Sequence, residues 1–147
     1  VKQIAEQFEL SGLHSKVNTN VDDAIWDKVA FNTAMNTICA LLEITPKTIE
    51  NNKYLKKFAL NVAKETCTIG KAFGIKINEM NIANNIKLSC KEHGEHKPSM
   101  LQDVLLKKKT EIDSLNGEVV RIGSKLKMST PLNTSLFNLI KAKENNY

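Results

Sequence analysis

Glycine is too sparse and scattered in this sequence to build a phosphate cradle. The six glycines stand singly at Gly12, Gly70, Gly74, Gly94, Gly117 and Gly123. Neither G-x-G-x-x-G nor G-x-x-x-x-G-K occurs, which excludes the standard nucleotide-binding loops. Arginine is almost missing: Arg121 is the only one among 21 basic residues, all the others being lysine. Base and phosphate readout favours the bidentate guanidinium, so a sequence-reading nucleic-acid binder is disfavoured despite a net charge of +5. Only Lys107-Lys108-Lys109 forms a basic run, and the other lysines read as solvated helix faces. No run approaches the roughly 18 to 20 apolar residues of a membrane-spanning helix, so no membrane partner is expected.

Cysteine is also scarce. Cys39, Cys67 and Cys90 are an odd number without a C-x-x-C, the pattern of reduced thiols in a cytoplasmic protein. The spacing Cys90-x-x-His93-x-x-His96 offers three soft ligands but no evident fourth, so no metal site is expected. An initiating methionine is absent, and no secretory pattern follows Val1. The chain therefore reads as a piece of a longer polypeptide. What is present suits a globular domain: 147 residues, 41% apolar and 25% charged.

Helical periodicity dominates, and about six or seven helices with short connections predict an all-α domain. A short helix over Lys2 to Leu10 closes at Ser11-Gly12. Lys16 to Val21 reads as extended, with no partner strand downstream. Asp22 or Asp23 is expected to cap a long helix reaching Leu42, and Thr45-Pro46 to open a short one. Tyr54, Leu55, Phe58, Val62, Thr66, Ile69 and Phe73 form an apolar stripe, and a further helix covers Asn78 to His93. Ser99 with Gln102 fits a capping box, and Thr110-Glu111-Ile112-Asp113 a second one. Ile112, Leu115, Val119, Ile122 and Leu126 then make a core-facing stripe. The last helix starts at Thr130-Pro131, with Leu132, Leu136, Phe137, Leu139 and Ile140 on its apolar side.

Three residues of the long helix carry chemistry. Lys28, Asn32 and Asn36 are spaced by four and share a stripe that drifts about 40° per step. An ammonium and two carboxamides on one face suit a carbonyl-containing anion; a solvated face is the plainer alternative. If the chain breaks near Lys107 to Lys109, Ser99 and Glu111 can meet at one cleft from two helix N-termini.

These blocks resemble the C-terminal domain of the ketopantoate reductase (2-dehydropantoate 2-reductase) family. Ser99-Met100-Leu101-Gln102-Asp103, Thr110-Glu111-Ile112-Asp113, Asn116-Gly117, Thr130-Pro131-Leu132-Asn133 and Leu139-Ile140-Lys141 with Glu144 occur in family order. Trp26-x-Lys28 with Asn32 and Asn36 matches the family's helix upstream. The resemblance implies an all-helical domain of the 6-phosphogluconate dehydrogenase C-terminal-like type over residues 21–147. Residues 1–20 would then be the trailing remnant of an N-terminal Rossmann domain. It implies reduction of ketopantoate with NADPH, the cofactor being held mainly by that other domain. Lys28 and Glu111 would be catalytic, and Asn32, Asn36 and Ser99 would bind the 2-keto acid; Asp103 has no assigned role. A homodimer through the helices is compatible with the family. Alternatives are a reductase of another 2-keto acid, or a helical interaction module without catalysis.

Overall fold

In a computed structural model of the chain, residues 1–14, 17 and 20–147 are described. They form eight α-helices and no strand: α1 (Lys2–Leu10), α2 (Val21–Leu42), α3 (Pro46–Asn51), α4 (Lys53–Ala72), α5 (Glu79–Glu92), α6 (Ser99–Leu105), α7 (Asn116–Lys125) and α8 (Pro131–Glu144). The expected all-α class holds. The extended segment expected from Lys16 lies outside the described residues except for Val17 and Asn20, and its end, Val21, is helical.

The middle of α2 is apolar or small on every side, as a helix surrounded by others must be. Residues 33 to 40 are all buried, and α4, α5, α6 and α8 pack around them. Small side chains let α2 and α4 approach closely: Ala30, Ala34 and Ala59 are fully buried. The Thr33 and Thr66 hydroxyls meet at 3.0 Å across this contact. Trp26 enters the same core, its ring 6.1 Å from that of Phe73. A β-carbon on Gly70 would overlap the end of the Ile77 side chain and stand 2.8 Å from the Trp26 ring, so the packing of both favours glycine there.

The polar core is built from residues of the Asn-Gly and Pro-Leu-Asn blocks. Asn116 and Asn133 are completely buried. Asn116 Nδ2 donates to the Thr33 carbonyl at 3.1 Å and to Asn133 Oδ1 at 3.0 Å, while its Oδ1 accepts from the Thr37 hydroxyl at 2.7 Å. Asn133 Nδ2 donates to Glu65 Oε1 at 2.8 Å. The Glu65 carboxylate also receives the N–H groups of Leu132 and Asn133, at 3.1 and 2.8 Å. Those are first-turn donors of α8, which lack partners within their own helix. One network thus ties α2, α4, α7 and α8.

Several ends differ from expectation. Asn20, not an aspartate, precedes α2; Asp23 instead accepts the Lys76 N–H at 3.0 Å. Asn52 and Asn78 cap α4 and α5 through their side-chain oxygens. Tyr54, Phe73 and Leu139 sit on stripes read as apolar faces but are at least half exposed. Glu43, Lys107 and Lys127 end α2, α6 and α7 in the left-handed region, at φ 54°, 53° and 56°. Glycine is the usual residue for that conformation, so these stops carried no compositional mark.

Candidate active site

The α2 stripe forms one wall of a cleft of about 360 Å³. Lys28, Asn32 and Asn36 line it together with Phe31 and Met35 of the same helix. The stripe becomes more enclosed along its length: Lys28 is exposed, Asn32 half-buried, and Asn36 buried. Trp26, two residues before Lys28, fixes the rotation of the helix by entering the core. Ser99 and Glu111 close the cleft from the other side, so all five sequence-predicted residues border one cavity.

Ser99 and Glu111 reach it by a different route from the one expected. Pro98 occupies the N-cap position of α6, so Ser99 is the first helical residue and makes no cap bond. Its hydroxyl donates to Glu111 Oε1 at 3.0 Å. Gln102 Nε2 donates to the Lys97 carbonyl at 2.7 Å, and no capping box forms. The second capping pattern is also absent: residues 110–115 form a turn, and α7 begins only at Asn116. Thr110 belongs to α8 instead, its N–H and hydroxyl both donating to Glu144 Oε1 at 2.7 Å. The Thr110 hydroxyl oxygen in turn accepts the Ile112 N–H at 3.2 Å, a side-chain-to-backbone turn that competes with helix formation.

This turn separates its residues cleanly. Ile112 is fully buried in a small apolar cluster with Ala40, Met100, Val104, Leu115 and Ile140. Asp113 pairs with Lys141 at 3.0 Å, and Glu111 faces the cleft. Burial alone would raise the Glu144 carboxyl, but the Thr110 donors and the Lys141 ammonium outweigh it and hold it below the usual range. Asp103 does not line the cleft; its carbonyl accepts the Lys108 N–H at 2.8 Å.

The remaining wall was not anticipated. Ser89, His93 and His96, with Pro46 and Pro98, complete the lining. Cys90 is buried while both histidines are exposed, so the three do not converge as ligands. Among the described residues no group of three acidic, histidine or cysteine side chains could hold a metal ion. The usable signal was the short span from Gly94, two residues past the end of α5, to Pro98. A loop that must return to Ser99 within four residues places its polar side chains beside Ser99.

The profile of the family described as Ketopantoate reductase PanE/ApbA C terminal matches residues 20–144. The chain belongs to this family. A 2-dehydropantoate 2-reductase of Pyrococcus horikoshii is 36% identical over 98% of the chain and 48% of its own length. The chain thus spans about half the length of the relatives it matches. A ketopantoate reductase of the same family from Ralstonia eutropha superposes with a TM-score of 0.89 at 26% identity, over 99% of this chain and 48% of that one. A D-mandelate dehydrogenase, in a ternary structure with NADH and anilino(oxo)acetate, superposes with a TM-score of 0.91, also at 26% identity and with the same coverage. The family's motif residues thus divide here into two sets. Asn116, Asn133, Lys141 and Glu144 build the scaffold, and Lys28, Asn32, Asn36, Ser99 and Glu111 border the cleft.

Proposed function

We propose that this chain is the substrate-binding and catalytic half of an NADPH-dependent 2-dehydropantoate 2-reductase, which reduces ketopantoate to pantoate on the route to pantothenate and coenzyme A. The observation that carries the reading is the meeting of Lys28, Asn32, Asn36, Ser99 and Glu111 in one cleft. Residues 1–20 would be the tail of a Rossmann domain that holds most of the cofactor, and residues 21–147 the helical domain. The protein would act in the cytoplasm, with homodimer formation through the helices.

The residues present fit the reactive end of a nicotinamide cofactor and not its pyrophosphate. A second groove of about 450 Å³ shares Lys28, Phe31, Ser89 and His93 with the cleft and adds the half-exposed Leu88. Phe31 and Leu88 offer an apolar wall for a flat ring beside the substrate. No phosphate cradle accompanies it. When bound, the dihydronicotinamide supplies the hydride.

The chain's own residues would do the rest. The Lys28 ammonium donates to the substrate's carbonyl oxygen, where negative charge builds as the carbonyl is reduced, and then gives up the proton that completes the alcohol. Asn32 and Asn36 orient the carbonyl and its substituents through amides that both donate and accept. Ser99 gives its hydroxyl proton to Glu111, so its oxygen, held in place by that bond, is free to accept from a substrate hydroxyl. The Glu111 carboxylate accepts from a substrate hydroxyl or from the Lys28 ammonium and keeps the cleft from being uniformly cationic.

Lys28→Ala in the complete protein is expected to lower kcat with ketopantoate by about 10²- to 10³-fold, the scale of losing one preorganised donor to a developing oxyanion. NADPH affinity, read by fluorescence titration, should stay near that of the unmodified protein. An unchanged kcat would overturn the assignment. The likeness to D-mandelate dehydrogenase favours a second reading within the same chemistry, a reductase of another 2-keto acid.

A further inference from the structure

The two readings differ in the substituent carried beyond the keto group, and the cleft holds a side chain placed to choose between them. His96 lines the cleft with Asn36, Pro46, Pro98 and Ser99. It is absent from the neighbouring groove, which takes Lys28, Phe31, Ser89 and His93. His96 therefore lies at the end of the cleft that the groove does not share, as Asn36 does. Asn36, at that end, stands two helical turns from Lys28, a rise of about 12 Å.

The backbone carrying His96 is held from several sides. The Lys47 N–H, in the first turn of α3, donates to the Gly94 carbonyl at 2.9 Å. The Lys47 ammonium pairs with Glu95 at 2.6 Å, and the His96 N–H donates to the His93 carbonyl at 2.9 Å. A β-carbon on Gly94 would come within 2.7 Å of the Cys90 carbonyl, so the loop is seated closely on the end of α5. The imidazole is thus presented by an anchored loop.

Of the other neighbours, Met35, Pro46 and Pro98 offer no side-chain hydrogen bond, and Ser99 commits its hydroxyl proton to Glu111. Asn36 and His96 line the same cleft, and each can both donate and accept in its neutral form. A purely hydrocarbon substituent would strip water from these groups without replacing its hydrogen bonds. A substituent ending in a hydroxyl would satisfy them.

We propose that His96, acting with Asn36, is a specificity-determining residue that selects 2-keto acids bearing an oxygen on the far substituent. The inference rests on the reading of the cleft as a 2-keto acid site and adds the side chain by which it tells a hydroxylated member of that class from its hydrocarbon analogue. Ketopantoate and trimethylpyruvate test it, because they differ only in one hydroxyl.

The readout is the ratio of kcat/KM for the two acids in the complete protein, which does not depend on the fraction of enzyme correctly folded. The unmodified protein should prefer ketopantoate. His96→Leu should lower that preference about tenfold or more, the scale on which hydrogen-bonding sites discriminate against a missing hydroxyl. His96→Gln, which keeps a donor and an acceptor, should restore most of it. A ratio unchanged in His96→Leu overturns the proposal while leaving the keto-acid reading in place. A preference for trimethylpyruvate in the unmodified protein does the same. Failure of the unmodified protein to reduce either acid overturns both.

Discussion

Two carboxylates of this chain are held below their usual range, and their surroundings decide which matters for stability. Glu118 is lowered chiefly by its hydrogen bonds from Arg121, but both side chains are about half exposed, and such surface pairs contribute little. The Glu144 side chain is only 6% exposed and receives two donors from Thr110, with Lys141 at 3.3 Å from its other oxygen. Because its folded value lies below its unfolded one, ionised Glu144 stabilises the fold above the ordinary carboxylate pKa. That contribution disappears as pH falls through the lowered folded value. Urea unfolding measured at several pH values between roughly 3 and 7 should show this as a loss of stability on the acid side. Glu144→Gln cannot titrate and should flatten that limb; an identical slope in the variant would show that the acid sensitivity lies elsewhere.

At the level of helices, side-chain periodicity located the long elements and cap patterns announced α3 and α6, while the polar contacts between elements were hidden from both. Eight helices stand among the described residues where about six or seven were expected. The stripes of α4, α7 and α8 follow from spacings of three and four, and so does the shared face of Lys28, Asn32 and Asn36. What periodicity could not give was the partner of a lone polar residue. Ser99 and Thr110 have the local pattern of helix caps, but each side chain bonds outside its own segment, to Glu111 and to Glu144. A local pattern predicts a cap only where no tertiary partner competes better for the hydroxyl. His93 and His96 were legible as a pair but not as a wall, because the return of their loop to the cleft depends on Lys47 in α3. Asn133 was legible only through family resemblance, and its role is structural. Truncating it to Ala removes one of the two acceptors of Asn116 Nδ2 and the side-chain donor to Glu65, while the Thr33 carbonyl and the backbone N–H groups of Leu132 and Asn133 remain as their partners, so the expected loss is about 1 to 3 kcal/mol. The measurement is urea unfolding of Asn133→Ala against the parent chain. A loss below about 0.5 kcal/mol, within the usual range for surface changes, would mean that water replaces the network.

Across the whole molecule, the cleft lies where two apolar clusters meet. The larger one, centred on α2, α4 and α5, fixes the stripe that carries Lys28. The smaller one, beneath α6, the 110–115 turn and α8, fixes Ser99 and Glu111. Both clusters are built from side chains of this chain, so its fold is expected to hold the cleft's walls in place. On the proposed reading, reduction needs more than the cleft, because the sequence offers no glycine-rich phosphate cradle. The 147-residue chain should therefore melt cooperatively and yet leave NADPH unoxidised in the presence of ketopantoate. Both are observable on one sample, by circular dichroism and by the absorbance of the dihydronicotinamide. Cooperative melting is the control that gives the missing activity its meaning, since an unfolded chain would be inactive for a trivial reason. Oxidation above the protein-free rate would place a dinucleotide site within these helices, against the separation of roles drawn from the scattered glycines.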